Sequence, residues 1–293
     1  MKVAGFTFIR NAVKNDYPVA EAIQSILPLC DEFIVALGKS EDDTESLIMN
    51  IGSPKIKIVH TVWDDSIREG GAVFATETNK AYNAISLDTD WAFYIQGDEC
   101  LHEKYLPVVK KAMADNLDNG KVEALLFKYL HFYGSYDFTA SSRRWYRNEI
   151  RVVRFDKDVQ SYKDAQGFRK AGRKLNALPI DACIYHYGWV KAPKSLGNKV
   201  RNFNNFYLDQ PWARNEVPAD YEFDYGNADR LVPFKEEHPE VIKKRIAAVN
   251  WKFKFDPSQL TQSMTFRRHV LQKLEDWTGW RVGEYKNYKK IKA

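Results

Sequence analysis

Cysteine is scarce in this 293-residue chain: three residues, Cys30, Cys100 and Cys183, lie far apart with no CxxC pair. That pattern excludes a disulfide framework and suits a reducing, cytoplasmic setting. Glycine (15) and proline (11) run below ordinary usage, which excludes collagen-like and low-complexity chains. Long apolar runs are missing too. No stretch free of Asp, Glu, Lys and Arg exceeds about ten residues, whereas a membrane helix needs about twenty. The run after Met1-Lys2 is broken by Arg10 and is too brief for the core of a signal peptide. What remains is typical of a folded globular protein, at 44% hydrophobic and 28% charged residues, with aromatics high at 14%.

A net charge of +5 over this length is mild and argues against a nucleic-acid partner. Basic residues concentrate at 168–174 (FRKAGRK) and in the tail at 286–292. A solvated face accounts for most such runs, while phosphorylated ligands stay open. The tail lysines, beside Tyr285, Tyr288 and Trp280, also offer a point of peripheral contact with the inner face of a membrane.

The first hundred residues alternate between short apolar strands (3–9, 33–37, 56–60, 91–95) and helical patterns. Pro18 opens the first helix, with Val19, Ile23, Ile26, Leu27 and Cys30 at helical spacing. Asp42 and Glu45 form a capping-box pattern before the second. In the third, Phe74, Thr78, Ala81, Tyr82 and Ile85 share a side. Such repetition predicts a mainly parallel sheet covered on both faces, with ligands beyond the carboxyl ends of its strands. Arg10, 40–43 and Asp98 then share one rim. After a helix at 106–117, longer strands at 122–133, 150–155 and 180–186 indicate a more antiparallel second half. Helical segments follow at 193–208, 239–250 and 265–277, where Trp251, Trp277 and Trp280 are expected to pack on the sheet. With no Gly/Ser/Pro linker and no internal repeat, one domain spanning 1–293 is the simplest reading.

Several signatures are absent: GxGxxG, HExxH and GxSxG. Gly38-Lys39-Ser40 imitates the end of a P-loop, but Phe33 stands where its first glycine belongs. Cys183 and His186, at odd separation on a strand, point to opposite faces and share no metal. The strongest signal is 91–99, WAFYIQGDE, a buried strand delivering carboxylates to its exposed end. A hard divalent cation bridging protein and diphosphate would suit it, since Mg²⁺ takes one or two carboxylates and completes its shell with phosphate and water. A capped acidic loop is the alternative.

Here the chain resembles the family 2 glycosyltransferases. The resemblance begins at Phe8-Ile9-Arg10-Asn11 and continues through 23–27 (IQSIL), 40–44 (SEDDT) and 78–81 (TNKA). It culminates in Gln96-Gly97-Asp98-Glu99, similar to the family's metal-binding DxD followed by an acid. It covers 3–110 well and 111–190 in patches. It implies an α/β GT-A, Rossmann-like fold with a nucleotide-sugar-binding half at 1–110, an acceptor-side half at 111–192 and a helical C-terminal extension at 193–293. It further implies a cytoplasmic enzyme moving a sugar, with inversion, from a nucleoside-diphosphate-sugar (a UDP-sugar favoured) to a carbohydrate, lipid-linked or other hydroxyl acceptor. Asp98 and His186, the latter in the HYGW element, would hold Mn²⁺ or Mg²⁺. Arg10, Asn11, Ser40, Asp42 and Gln96 would line the nucleotide pocket, and Arg68 and Lys80 would neutralise phosphate. Asp164 is the candidate catalytic base, with Asp137 second, and the Trp and Tyr residues of 145–154 and 185–189 could stack an acceptor sugar.

Two departures matter. The family's acid pair after the second strand falls on Leu37-Gly38, and the first DxD acid is Gln96, which cannot ligate a cation as a carboxylate does. A nucleotidyltransferase and a non-catalytic nucleotide-sugar-binding relative therefore stay open.

Overall fold

In the computed structural model, which describes residues 1–227, 230–253 and 265–292, the four expected apolar runs form adjacent strands. They are β1 (Val3–Ile9), β2 (Glu32–Gly38), β3 (Ile56–Thr61) and β4 (Trp91–Tyr94). They pair in parallel in the order β4-β1-β2-β3. β1, β2 and β4 are almost wholly buried because helices cover both faces, as their near-continuous apolar sequences require. The crossovers contain α1 (Val19–Ile26), α2 (Thr44–Met49) and α3 (Ala72–Asn83). One core layer gathers Val19, Ile23, Ile26, Phe33, Trp91 and Phe93; the other gathers Phe6, Tyr82, Tyr94 and Phe168.

The second half is mixed. β5 (Glu99–Leu101) and α4 (Leu106–Asp115) lead into β6 (Ala124–Tyr133), β7 (Ser135–Ala140) and β8 (Asn148–Arg154). β8 runs antiparallel to both β4 and β6 and so joins the halves into one sheet. A separate antiparallel sheet comprises β9 (Val159–Tyr162), β10 (Gly167–Lys170) and β11 (Arg173–Lys174). The long β12 (Asn176–Trp189) lies parallel to β6 and antiparallel to β5. After it come α5 (Pro193–Asn204), β13 (Leu231–Pro233), α6 (Lys243–Ala247), α7 (Phe266–Thr278) and β14 (Lys289–Lys290). This is the expected α/β class. Residues 193–293 are not purely helical, because β13 pairs with β7 and β14 with β12.

Three local expectations change. The capping box does not form. α2 begins at Thr44, with Asp43 at the cap, while Asp42 accepts the N–H of Thr44 and, at 2.7 Å, that of Lys14. Its carboxylate thus ties the loop after β1 to the loop after β2, and Glu45 pairs with His60 instead. The tail is not a free basic arm, since Tyr288 is buried and Lys289–Lys290 pair with β12. Trp277 and Trp280 do not pack on the sheet; they are 86% and 66% exposed. α7 turns Gln272 and Glu275 inward because Arg143 and Arg281 bind them there. Among the described residues no helix is long and apolar enough to cross a membrane.

One buried ion pair fixes the end of β4. Arg151 on β8 and Glu99 on β5 are both wholly inaccessible and meet in a two-pronged bridge of 2.7 and 2.8 Å. Tyr129 Oη and the Gln96 N–H also donate to Glu99. Removing one member leaves an uncompensated buried charge, which typically costs about 3–5 kcal/mol. Arg151→Met should therefore lower the unfolding free energy by about that amount in urea titrations. The double variant Arg151→Met/Glu99→Gln should recover part of the loss.

Candidate active site

The carboxyl ends of the parallel strands open into a cleft of about 1480 Å³. That exceeds the roughly 300–1,000 Å³ of a single small-molecule site, so two ligands can sit side by side. Arg10, Asn11, Arg68, Gln96, Asp98, Asp164 and His186 all line it. Ser40, Asp42 and Lys80 do not. Ser40 accepts the Asn11 N–H and donates to the Gly38 carbonyl, holding the loop after β1 in shape. Lys80 on α3 is occupied by Glu77 and the Val62 carbonyl. Asp137 on β7 hydrogen-bonds Ser135 and lies away from the cleft lining.

Strand pairing brings Asp98 and His186 together. Antiparallel β5 and β12 set Glu99 opposite His186, and the Tyr187 N–H donates to the Asp98 carbonyl at 2.7 Å. Asp98 Oδ1 then lies 3.8 Å from His186 Nε2. The imidazole is oriented from behind, since His131, directly across on β6, meets His186 Nδ1 through its own Nδ1 at 3.1 Å. His131 Nε2 faces the Tyr146 carbonyl at 2.8 Å. A carbonyl only accepts, so His131 Nε2 carries a hydrogen, its Nδ1 accepts, and His186 Nδ1 donates. Burial favours the neutral form of both rings. His186 Nε2 is thereby left as a lone pair facing the Asp98 carboxylate, two acceptors converging with no hydrogen between them.

Gly188 keeps the space in front of them open. A Cβ there would lie 2.6 Å from Asp98 Oδ2 and 2.7 Å from His186 Nε2. Lys199, from α5, enters this space, and its Nζ donates to Asp98 Oδ2 at 3.0 Å and to the Gly188 carbonyl at 2.9 Å. Burial works against the Asp98 charge, yet the Lys199 ammonium beside it holds its carboxyl well below the usual range. Nearby, Lys191 is almost wholly inaccessible and donates to the Asp16 carbonyl. Burial, aided by Lys199, pushes its ammonium down to about 7. Both ammonium groups lie over the Tyr17 ring.

Where the family has an acid pair after the second strand, Gly38 leaves room for the Trp63 indole, whose Nε1 would lie 2.4 Å from a Cβ there. Trp63 and Arg10 stack, at 5.6 Å from guanidinium carbon to ring centre. Trp63 Nε1 and Arg10 Nε are buried donors without a partner among the described residues. Arg10 Nη1 reaches Asp65 at 3.0 Å, and Arg68 bonds the Asp65 carbonyl. The Gln96 side chain makes only long bonds, 3.4 Å each, to Tyr94 Oη and the Ala165 carbonyl. Its amide remains adaptable.

Two further acids line the cleft. Asp164 sits between Lys163 and Ala165, both left-handed at φ 55° and 61°, and burial raises its carboxyl above the usual range. Glu149 on β8 is 3% exposed, its Oε2 is unpartnered among the described residues, and burial pushes it up to about 8. Sequence reasoning missed Glu149, His131, Lys199 and Trp63. Of these only His131 carried a sequence signal, as a histidine within a strand.

Could the cleft hold a divalent cation? Among the described residues no three His, Cys, Asp or Glu side chains gather as a metal site. The two converging acceptors of Asp98 and His186 nevertheless fit one, given the opening at Gly188. Mn²⁺ accepts imidazole with carboxylate, and the remaining positions would fall to ligand and water oxygens.

No protein-family model matches the chain, and no curated protein does. Among solved structures it is similar to S. aureus TarS, with 16% identity and a TM-score of 0.41 over 70% of this chain and 39% of that one. Against S. aureus TarS 1-349 the values are 12%, 0.39, 72% and 66%. Glucosyl-3-phosphoglycerate synthase from Mycobacterium tuberculosis, in complex with Mn²⁺, uridine diphosphate and phosphoglyceric acid, is similar at 22% identity and a TM-score of 0.30. That likeness covers 45% of this chain and 43% of the synthase. The chain thus spans only about two fifths of the length of TarS and of the synthase. Likenesses at this level carry no argument about the chemistry of the cleft, which rests on this chain's own residues.

Glu149 yields a pH signature. Its acid is raised from 4.5 to about 8 on folding, so the folded protein binds the extra proton between those values. Stability from this group is full below 4.5 and falls as pH rises towards 8. Urea titrations across that range should give a shallower decline with pH for Glu149→Gln than for the parent protein.

Proposed function

We propose that the protein is a glycosyltransferase of the GT-A, family 2 type, which moves a sugar from a nucleoside-diphosphate-sugar to an acceptor hydroxyl with inversion. The observation that carries this reading is the convergence of Asp98 and His186 at the carboxyl edge of a parallel sheet, beside a two-ligand cleft. The family resemblance of the QGDE and HYGW elements supplies the reaction class.

Residues 1–110 would bind the donor. Arg10, Asn11, Trp63 and Arg68 line the cleft and would meet the nucleotide, with Arg10 and Arg68 balancing its phosphate charge. A UDP-sugar is the favoured donor. Asp98 and His186 would hold Mn²⁺ or Mg²⁺, which when bound supplies Lewis-acid stabilisation of the departing diphosphate. Asp164, raised by burial, would accept the acceptor's proton. A base is most effective when its pKa approaches the working pH. The wall formed by Trp145, Trp189, Trp212 and Tyr221 provides aromatic faces for a carbohydrate acceptor. Residues 111–192 contribute the first two and the two further acids.

The test is product analysis with a panel of nucleotide-sugars. A transferase releases nucleoside diphosphate; a nucleotidyltransferase would release pyrophosphate, and a binding-only relative neither. Asp98→Ala should abolish release, and Asp164→Asn should lower kcat by about 10²–10⁴. Unchanged turnover in Asp98→Ala removes the assignment.

A further inference from the structure

Lys199 is not accounted for by the donor, cation and base roles above. Its ammonium occupies the opening beside Gly188 and bonds the carboxylate that would also ligate a divalent cation. We propose that Lys199 is a resident counter-ion that couples the two ligands of the site: it holds Asp98 until a diphosphate arrives, then transfers to the diphosphate and frees Asp98 for the cation. This rests on the glycosyltransferase reading and names how that site is loaded.

The argument is one of charge. Asp98 is largely buried and carries one negative charge, which Lys199 already neutralises at 3.0 Å. Lys191 brings a second amine to the same place, its Nζ over the same Tyr17 ring as that of Lys199. Adding a doubly positive ion to this set without an anion would crowd like charges in a poorly solvated place, where Coulomb energies are several-fold larger than in water. An arriving diphosphate reverses the balance, since it gives the ammonium a stronger partner and releases Asp98 Oδ2. Lys199 stands at the cleft surface on α5, so a change of side-chain rotamer suffices for the exchange. His186 keeps its orientation throughout, because His131 and the Tyr146 carbonyl fix it from the far side. The diphosphate and the cation should therefore bind cooperatively, each raising the other's affinity by one shared factor.

Mn²⁺ binding followed by electron paramagnetic resonance, and UDP binding followed by calorimetry, read this without turnover. In the parent protein, Mn²⁺ alone should bind weakly and tighten about tenfold or more with saturating UDP, within the usual range of coupling between sites. In Lys199→Met, nucleotide-free protein should bind Mn²⁺ about tenfold more tightly, UDP should bind more weakly, and the coupling factor should fall below the parent's, to what direct contact between diphosphate and cation supplies. Lys199→Arg, which keeps the charge, should retain the coupling. Equal Mn²⁺ affinity in nucleotide-free parent and Lys199→Met overturns the proposal, as does an unchanged coupling factor. If Lys199→Met does not fold, Lys199→Gln takes its place, with the same expected and overturning outcomes. A different failure is recognisable: if UDP, GDP, ADP and dTDP all fail to bind with or without Mn²⁺, the glycosyltransferase reading falls and takes this coupling with it.

Discussion

The buried bridge between Arg151 and Glu99 is the constraint on which the rest of the site depends. It joins β8 to the turn after β4 at the seam between the parallel and antiparallel halves. Two charges sealed from water tolerate little misalignment, because neither can recover its hydration elsewhere. Tyr94 and Tyr129 enclose the guanidinium with their rings. Glu99 is thus spent on architecture, and its neighbour Asp98 is the acid of the QGDE turn that faces the cleft. The two adjacent carboxylates have separate tasks because Asp98 lies in the turn, while Glu99 opens β5 and is wholly buried.

From this anchor the positioning spreads by hydrogen bonds of fixed polarity. The Tyr146 carbonyl dictates the tautomer of His131, which dictates that of His186. Such a relay makes one imidazole nitrogen an obligate acceptor without any charge nearby having to enforce it. The Gln96 side-chain amide, by contrast, makes only long hydrogen bonds.

Much of the fold was legible in the sequence because the parallel half obeys simple rules. Runs such as 33–37 are buried on both faces, so their apolar content is continuous and their limits are sharp. Asp98 was legible because a strand rich in aromatics ends in a polar acidic turn. The pairing of Asp98 with His186 was readable only through family resemblance, since no local pattern reports the register between β5 and β12. Lys199 and Glu149 were not readable at all. A lysine on an amphipathic helix usually faces water, and a glutamate at the start of a strand usually does too. Only the tertiary arrangement turns them inward. Trp277 and Trp280 reverse that error: they look like core residues, but the arginines that claim Gln272 and Glu275 rotate α7 so that the tryptophans point away.

β12 is stitched at both ends. Its Trp189 end carries the HYGW element, while at its start Asn176 and Ala177 pair with the closing residues Lys289 and Lys290. β14 is therefore a clasp on the ribbon that bears the imidazole. Loosening that clasp would free the start of the same strand whose far end presents His186 to the cleft.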